Sequence, residues 1–142
     1  MSSVRKLVTP RTIQVMTLAK FLLPNFEVFG GSVKIERYPM TLGTWLDEGG
    51  DVALVEERIK EMVDQLHGLG ILHGDLHAEN IVIDPKTLDL RFIDLDNAYY
   101  IKELNEKTME SIRKFWSAET PLPTVTDVLE YEKNEMWKMG YC

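Results

Sequence analysis

The chain contains 142 residues, of which 44% are hydrophobic, a length that suits one domain with a substantial core rather than two ordinary domains. Acidic residues outnumber basic ones by 23 to 16, which gives a formal net charge of −7 at pH 7. Nucleic acid and anionic membranes repel such a chain, so neither is expected as a partner. The single cysteine, Cys142, cannot form an internal disulfide, and we interpret it as a terminal residue without a role.

The sequence shows no targeting or membrane segment. Its first ten residues, MSSVRKLVTP, lack the apolar core of a secretory signal peptide. No apolar run approaches the roughly 20 residues that a membrane-spanning helix needs. These observations predict a soluble protein in a reducing, intracellular compartment, and we expect it in the cytoplasm.

The elements predicted in chain order are helices and short strands joined by glycine and proline turns. The first helix begins at Pro10 after the capping residue Thr9, and its apolar residues lie on more than one face, so we expect it to be well buried. Two hairpins turn at Gly30-Gly31 and at Asp84-Pro85. The predicted helices span 10–23, 41–46, 51–70, 103–115 and 125–139, the last capped by Thr126 or Asp127 after a stiff PLP segment, and the predicted strands span 26–29, 33–35, 81–83 and 90–93.

Residues 71–98, ILHGDLHAENIVIDPKTLDLRFIDLDNA, carry the pattern that decides the functional prediction. His73 and Asp75 lie in a loop, Asn80 follows Asp75 by five residues, and Asp94 comes after a hairpin. This order and spacing resemble the catalytic loop and metal-binding element of the protein-kinase superfamily. The form HGDLHAEN is closer to aminoglycoside and choline phosphotransferases and to small atypical kinases than to serine/threonine kinases.

The resemblance implies a role for each polar residue. Asp75 would align the acceptor hydroxyl and take its proton. Asn80 and Asp94 would supply the hard oxygen ligands that magnesium prefers. Asp96 is either a second metal ligand or an exposed turn carboxylate, and the sequence leaves both open. His73 is expected to pack under the metal-binding triplet as a scaffold residue rather than to act as a base.

Two departures from the serine/threonine kinase pattern lie in the same loop. His77 stands where those kinases usually carry lysine, and we assign it to the support of the site. Gly74 stands where many kinases carry an arginine that pairs with a phosphate on the activation loop. Regulation by phosphorylation of that loop is therefore not expected.

The resemblance predicts an α+β fold of the kinase type in a single domain over residues 1–142. Residues 10–39 would be the remnant of the small lobe and the hinge, reduced to a small antiparallel hairpin and one helix. Within them Glu36, Arg37 and Tyr38 would form the hinge that binds adenine through its backbone. Residues 40–142 would be a reduced, mainly helical large lobe.

The sequence lacks a recognisable glycine-rich loop, and the first helix has no glutamate to pair with a lysine. Arg5 and Lys6 are the only cations before that helix, and they lie too close to it for the usual strand lysine. We predict a phosphotransferase that uses ATP and Mg²⁺ and transfers the γ-phosphate to a hydroxyl of a protein or small molecule. The alternatives are a weak or inactive kinase mimic that binds and modulates another kinase, and a structural scaffold.

The reduced small lobe also predicts a partner. The outer edge of the 26–35 hairpin is expected to be unpaired, and natural proteins seldom leave strand edges bare. A second copy of the chain or a partner kinase would then cover this edge and the first helix. The alternative is that the first nine residues fold back and pair with the hairpin, with Val4, Leu7 and Val8 in a short strand.

Overall fold

The computed structural model describes residues 3–138, so Cys142 and the predicted end of the last helix at Met139 lie outside the described residues. Small antiparallel sheets and helices alternate along the described range, which confirms the predicted α+β class. The helices are α1 (Pro10–Leu18), α2 (Leu42–Asp47), α3 (Glu56–Gly68), α4 (Glu106–Trp116) and α5 (Val125–Asn134), and the strands are β1 (Ser3–Leu7), β2 (Phe26–Phe29), β3 (Ser32–Glu36), β4 (Met40–Thr41), β5 (Ile71–Leu72), β6 (Ile81–Asp84), β7 (Asp89–Phe92) and β8 (Tyr99–Tyr100).

The first sheet has the order β1-β3-β2 and places Lys6 opposite Val33. The prediction of an unpaired hairpin edge is therefore wrong for β3, because β1 pairs with it along its whole length. The alternative, in which the first residues fold back, describes the structure. Only Val8 and Thr9 separate β1 from α1, and Val8 N donates to Gly31 O at 3.0 Å, so the chain enters the helix directly from the sheet. Residues 3–7, which precede the predicted 10–39 segment, thus belong to the same sheet as the hairpin.

Helix α1 begins where the sequence predicts, since Thr9 accepts a hydrogen bond from Thr12 N and Pro10 takes the first helical position. It ends at Leu18, earlier than predicted, and a 3₁₀ turn over Lys20–Leu22 completes the segment. Val15 and Met16 face the core, whereas Leu18 is 50% exposed. The prediction of a well-buried helix is therefore wrong for its outer side, where Leu18 lines an open cavity.

The hydrophobic core of the part of the chain that follows the first sheet forms around α3 and the β6–β7 hairpin. Helix α3 buries Ile59, Met62, Val63 and Leu66 along one stripe and packs on α5. It begins at Glu56 rather than at the predicted Asp51, because Asp51 instead caps a 3₁₀ turn over Val52–Leu54. Strand β4 extends the hairpin into a sheet of order β4-β6-β7, and β5 pairs with β8.

Helix α5 is capped by Thr124, whose hydroxyl accepts from Asp127 N while the Asp127 carboxylate accepts from Thr124 N. The predicted cap at Thr126 is therefore wrong, and Asp127 belongs to the reciprocal capping box rather than to the cap position. Among residues 3–138, every helix is too short or too polar to cross a lipid bilayer.

Candidate active site

A cleft of about 400 Å³ lies between the β1–β3 face of the first sheet and the β6–β7 hairpin. Apolar side chains line most of it, and Lys6, Asn80 and Asp94 are among the polar residues that line it. The predicted hinge passes along its margin. The apolar lining residues are Val4, Pro24, Ile35, Met40, Val82 and Ile93, and the lining residues of the predicted hinge are Glu36, Arg37 and Tyr38.

The loop over residues 73–80, which is the predicted catalytic loop, holds Asp75 and Asn80 together. Asn80 Nδ2 donates to Asp75 O at 2.8 Å and approaches Asp75 Oδ2 at 3.3 Å. The spacing of five residues brings Asn80 back to Asp75 because His77 caps a 3₁₀ turn over Ala78–Asn80. Glu79 N donates to His77 Nδ1 at 3.2 Å in this turn. Since the amide nitrogen of Asn80 serves the loop, its Oδ1 is the atom left to bind a ligand.

His77 also lies beside the predicted base, with Nε2 at 3.5 Å from Asp75 Oδ1. Nε2 also lies 3.3 Å from Asn80 Nδ2, so the ring contacts both Asp75 and Asn80. The separation of 3.5 Å from Asp75 Oδ1 is long for a hydrogen bond. It supports the assignment of His77 to the surroundings of Asp75.

His73 connects the catalytic loop to the strand that leads to Asp94. Its ring is fully buried, accepts from Asp75 N at Nδ1 over 3.2 Å, and donates from Nε2 to Ile93 O over 2.8 Å. Burial lowers the pKa of His73, which keeps the ring neutral. Both ring nitrogens are therefore occupied by the backbone, as a scaffold residue requires.

Lys6 lies at the centre of the polar group. Its Nζ is 2.7 Å from Asp96 Oδ2 and 3.2 Å from Asp94 Oδ1. Burial opposes both charges, yet the pairing holds the pKa of Asp94 below its usual range and that of Lys6 above it. The expectation that Lys6 lies too close to α1 for such a position is therefore wrong, since the two-residue connection still leaves it on a strand that lines the cleft.

Asp94 itself has a backbone φ of +59°, in the left-handed region. Aspartate tolerates this region better than most residues. The turn brings Asp96 N to 3.4 Å from Asp94 Oδ1. It folds both carboxylates of the triplet back towards Lys6.

The predicted hinge is tied to its surroundings on both sides. Tyr38 Oη donates to Asp89 Oδ2 at 2.6 Å and accepts from Arg91 Nε at 3.0 Å, so the segment is fixed to β7. Burial, with the Asp89 contact, raises the pKa of Tyr38 and keeps the phenol protonated. Glu36 N already donates to Asn25 O at 2.8 Å. The N–H group of Glu36 is therefore already occupied.

Two residues that were not predicted from the sequence hold the loop in place through hydrogen bonds. Glu132 on α5 is fully buried and accepts from His73 N at 3.0 Å, Gly74 N at 2.9 Å and His67 Nε2 at 2.9 Å. Trp116 at the end of α4 donates from Nε1 to Gly74 O at 2.8 Å. A glutamate on the buried stripe between Val128 and Met136 was the available sequence signal for this role.

Gly74 is required by this packing. Its φ is +87°, and an added Cβ would overlap the carbonyl oxygen of Asn97.

We expect Gly74→Ala to lower the free energy of unfolding by about 2–3 kcal/mol. Gly30→Ala is the matched control, because Gly30 also has a positive φ but nothing lies within 4 Å of its added Cβ. Backbone strain alone should then cost about 1 kcal/mol in the control. Equal losses in urea denaturation would contradict the steric argument.

The residues present fit a magnesium ion. Within residues 3–138 no group of three or more histidine, cysteine, aspartate and glutamate side chains is placed to hold a metal. Magnesium does not need one, because it commonly takes one or two carboxylates together with water and substrate phosphates. Asn80 and Asp94 line the same cleft and offer one amide oxygen and one carboxylate. Asp96 lines a smaller adjoining cavity instead.

Small antiparallel sheets and helices, with the loop over residues 73–80 leading into the β6–β7 hairpin, form a protein-kinase-like α+β fold. The chain belongs to the lipopolysaccharide kinase (Kdo/WaaP) family, whose model matches residues 42–115, just over half of the sequence. These findings confirm the resemblance to the protein-kinase-like superfamily. No curated protein matches the sequence.

Among solved structures, the chain is similar to the kinase PK-1 of Cydia pomonella granulovirus. The two share 21% sequence identity with a TM-score of 0.54, over 69% of this chain and 43% of that chain. At this level of identity the similarity supports the fold alone. The chain therefore spans less than half the length of the viral kinase.

Proposed function

We propose that the chain is an ATP-dependent phosphotransferase that transfers the γ-phosphate to a hydroxyl group of a protein or a small molecule. The observation that supports this most strongly is the convergence of Lys6, Asn80 and Asp94 in one cleft. Asp75 is joined to the same site by its hydrogen bonds from Asn80. A cation, two oxygen ligands and a carboxylate base are the groups that phosphoryl transfer requires.

The nucleotide would lie with adenine between the apolar walls and with its phosphates towards Lys6. Ile35 and Val82 stand on the two sides of the cleft, and the backbone of Arg37 and Tyr38 would bind the adenine edge. Asn80 and Asp94 would hold Mg²⁺, which neutralises phosphate charge when bound. Asp96 as a second ligand stays a prediction.

Asp75 would act on the acceptor. In the transfer the acceptor oxygen bonds to the γ-phosphorus, the bond from that phosphorus to the β-bridging oxygen breaks, and ADP leaves. The hydroxyl proton passes to the Asp75 carboxylate, and His73 and Asn80 hold the loop in place while this happens. The division into residues 10–39 and 40–142 and the cytoplasmic location also stay predictions.

The second candidate is a mimic that binds and modulates another kinase. It is favoured by the ion pairs that Lys6 makes with both Asp94 and Asp96, which nucleotide binding has to rearrange. A second copy or a partner kinase that covers the small lobe belongs to this proposal. Metal-dependent nucleotide binding by the isolated chain separates the two functions.

We expect MgATP at 100 times its dissociation constant to raise the free energy of unfolding by about 2.7 kcal/mol. ATP without Mg²⁺, and Mg²⁺ without ATP, should give much smaller gains. Asp94→Ala should abolish the gain, whereas Asp47→Ala, which removes an exposed carboxylate on α2, should keep it. Thermal-shift titration measures the stabilisation in each of these conditions and variants. An unchanged melting temperature at millimolar MgATP would contradict the phosphotransferase proposal.

A further inference from the structure

Lys6 has an unusual set of partners for a strand lysine of a kinase-like fold. In protein kinases such a lysine pairs with a glutamate of the small-lobe helix, and this pair must form for activity. Helix α1 reads PRTIQVMTL and contains no acidic residue. Lys6 Nζ instead makes its shortest ion pair, 2.7 Å, with Asp96 Oδ2.

Asp96 lies on the side of the lysine where such a partner belongs. It lines a small cavity together with Lys6, Thr12 and Met16, so its surroundings include the inner face of α1. Asn80 does not line this cavity, although Asp94 lines both it and the larger cleft. The two carboxylates of the triplet therefore have different surroundings. Asp94 lies between the large cleft and Lys6, whereas Asp96 lies between Lys6 and helix α1.

We propose that Asp96 is a positioning residue for Lys6 and replaces the helix glutamate that α1 lacks. Its carboxylate holds the ammonium group at the wall of the cleft, where the phosphates of a nucleotide are bound. Asp94 is then available to the metal site without leaving Lys6 unpaired. This inference rests on the proposed function, because it assumes that the cleft binds a nucleotide, and it competes with the prediction that Asp96 is a second metal ligand.

The role of Asp96 can be tested with a double-mutant cycle on MgADP binding by the full chain. The four proteins are the wild type, Lys6→Met, Asp96→Asn and the double variant. We expect each single variant to raise the dissociation constant about tenfold, in the range for a lost hydrogen bond to a charged group. The double variant should bind no more weakly than Lys6→Met, because Asp96 acts through the lysine.

A Mg²⁺ titration at fixed ADP separates the positioning role from metal ligation. With a positioning role, Asp96→Asn weakens nucleotide binding but leaves the Mg²⁺ concentration for half-maximal binding unchanged within twofold. Asp96→Glu, which keeps the charge, should recover much of the affinity, and Asp47→Asn is the control on an exposed carboxylate. Circular dichroism confirms that the variants fold, as the partial exposure of both side chains leads us to expect.

The possible failures are distinguishable. If the wild type binds no MgADP, the proposed function is overturned and the positioning role with it. If the wild type binds but the two substitutions have additive effects, or Asp96→Asn raises the Mg²⁺ requirement in the Lys6→Met background, only the positioning role is overturned. If Asp96→Asn binds MgADP with the affinity of the wild type, Asp96 is a turn carboxylate, and the positioning role is overturned.

Discussion

Replacing Asp75 with asparagine is expected to lower kcat by about 10²- to 10⁴-fold while MgATP binding stays nearly unchanged. The amide keeps the size of the side chain but cannot take the acceptor proton, and Asp75 makes its contacts with the loop rather than with Lys6. The rate is measured as transfer to an acceptor or, without one, as ATP hydrolysis. Binding is followed by thermal shift.

Glu79→Gln is the matched control for this substitution. Glu79 lies four residues further along the same loop, is exposed, and accepts a hydrogen bond from the Thr41 hydroxyl at 3.1 Å. Its loss of charge should change kcat by less than about twofold, since an exposed carboxylate contributes little. Full activity of Asp75→Asn would show that the base is assigned to the wrong residue.

Glu132→Ala is expected to cause the largest loss of stability, about 3–5 kcal/mol in the free energy of unfolding. The substitution leaves the backbone N–H groups of His73 and Gly74, and Nε2 of His67, without their acceptor in a buried place. Urea denaturation followed by circular dichroism measures the change.

Two further variants on α5 sharpen this test. Glu132→Gln should lose less than Glu132→Ala, because the amide keeps one oxygen that can accept from the loop. Glu130→Ala changes an exposed glutamate on the same helix and should stay within about 0.5 kcal/mol of the wild type. A Glu132→Ala protein as stable as the Glu130→Ala protein would show that the carboxylate does not hold the loop.

The residues of the motif could be predicted because their geometry is local. Asn80 reaches Asp75 through a single 3₁₀ turn that His77 caps, and the β6–β7 hairpin returns the chain to Asp94. Sequence spacing controls such contacts directly. The same reason explains why the hairpins and the cap of α1 at Thr9 were predicted correctly.

The rest of the site depends on contacts between residues that are distant in sequence. Lys6 meets Asp94 across 88 positions, and Glu132 meets His73 across 59. Strand β1 is mostly exposed and has few apolar residues, so its pattern supported a strand only as an alternative. Periodicity shows which face of α5 is buried, but it does not show which loop that face contacts.

The pairing of β5 with β8 has a consequence for how the activity would be controlled. Tyr99 pairs with Leu72 and Tyr100 with Ile71, and Ile101 N donates to Gly70 O at 2.8 Å. Only Asn97 and Ala98 separate the triplet from this ladder, and the hydroxyl-bearing residues of 97–105 are Tyr99 and Tyr100, both of which are paired in it. Because the segment after the triplet is held in a strand pair within two residues, it has little freedom to act as an order–disorder switch. We therefore expect turnover to follow the supply of nucleotide and acceptor rather than an upstream signalling enzyme.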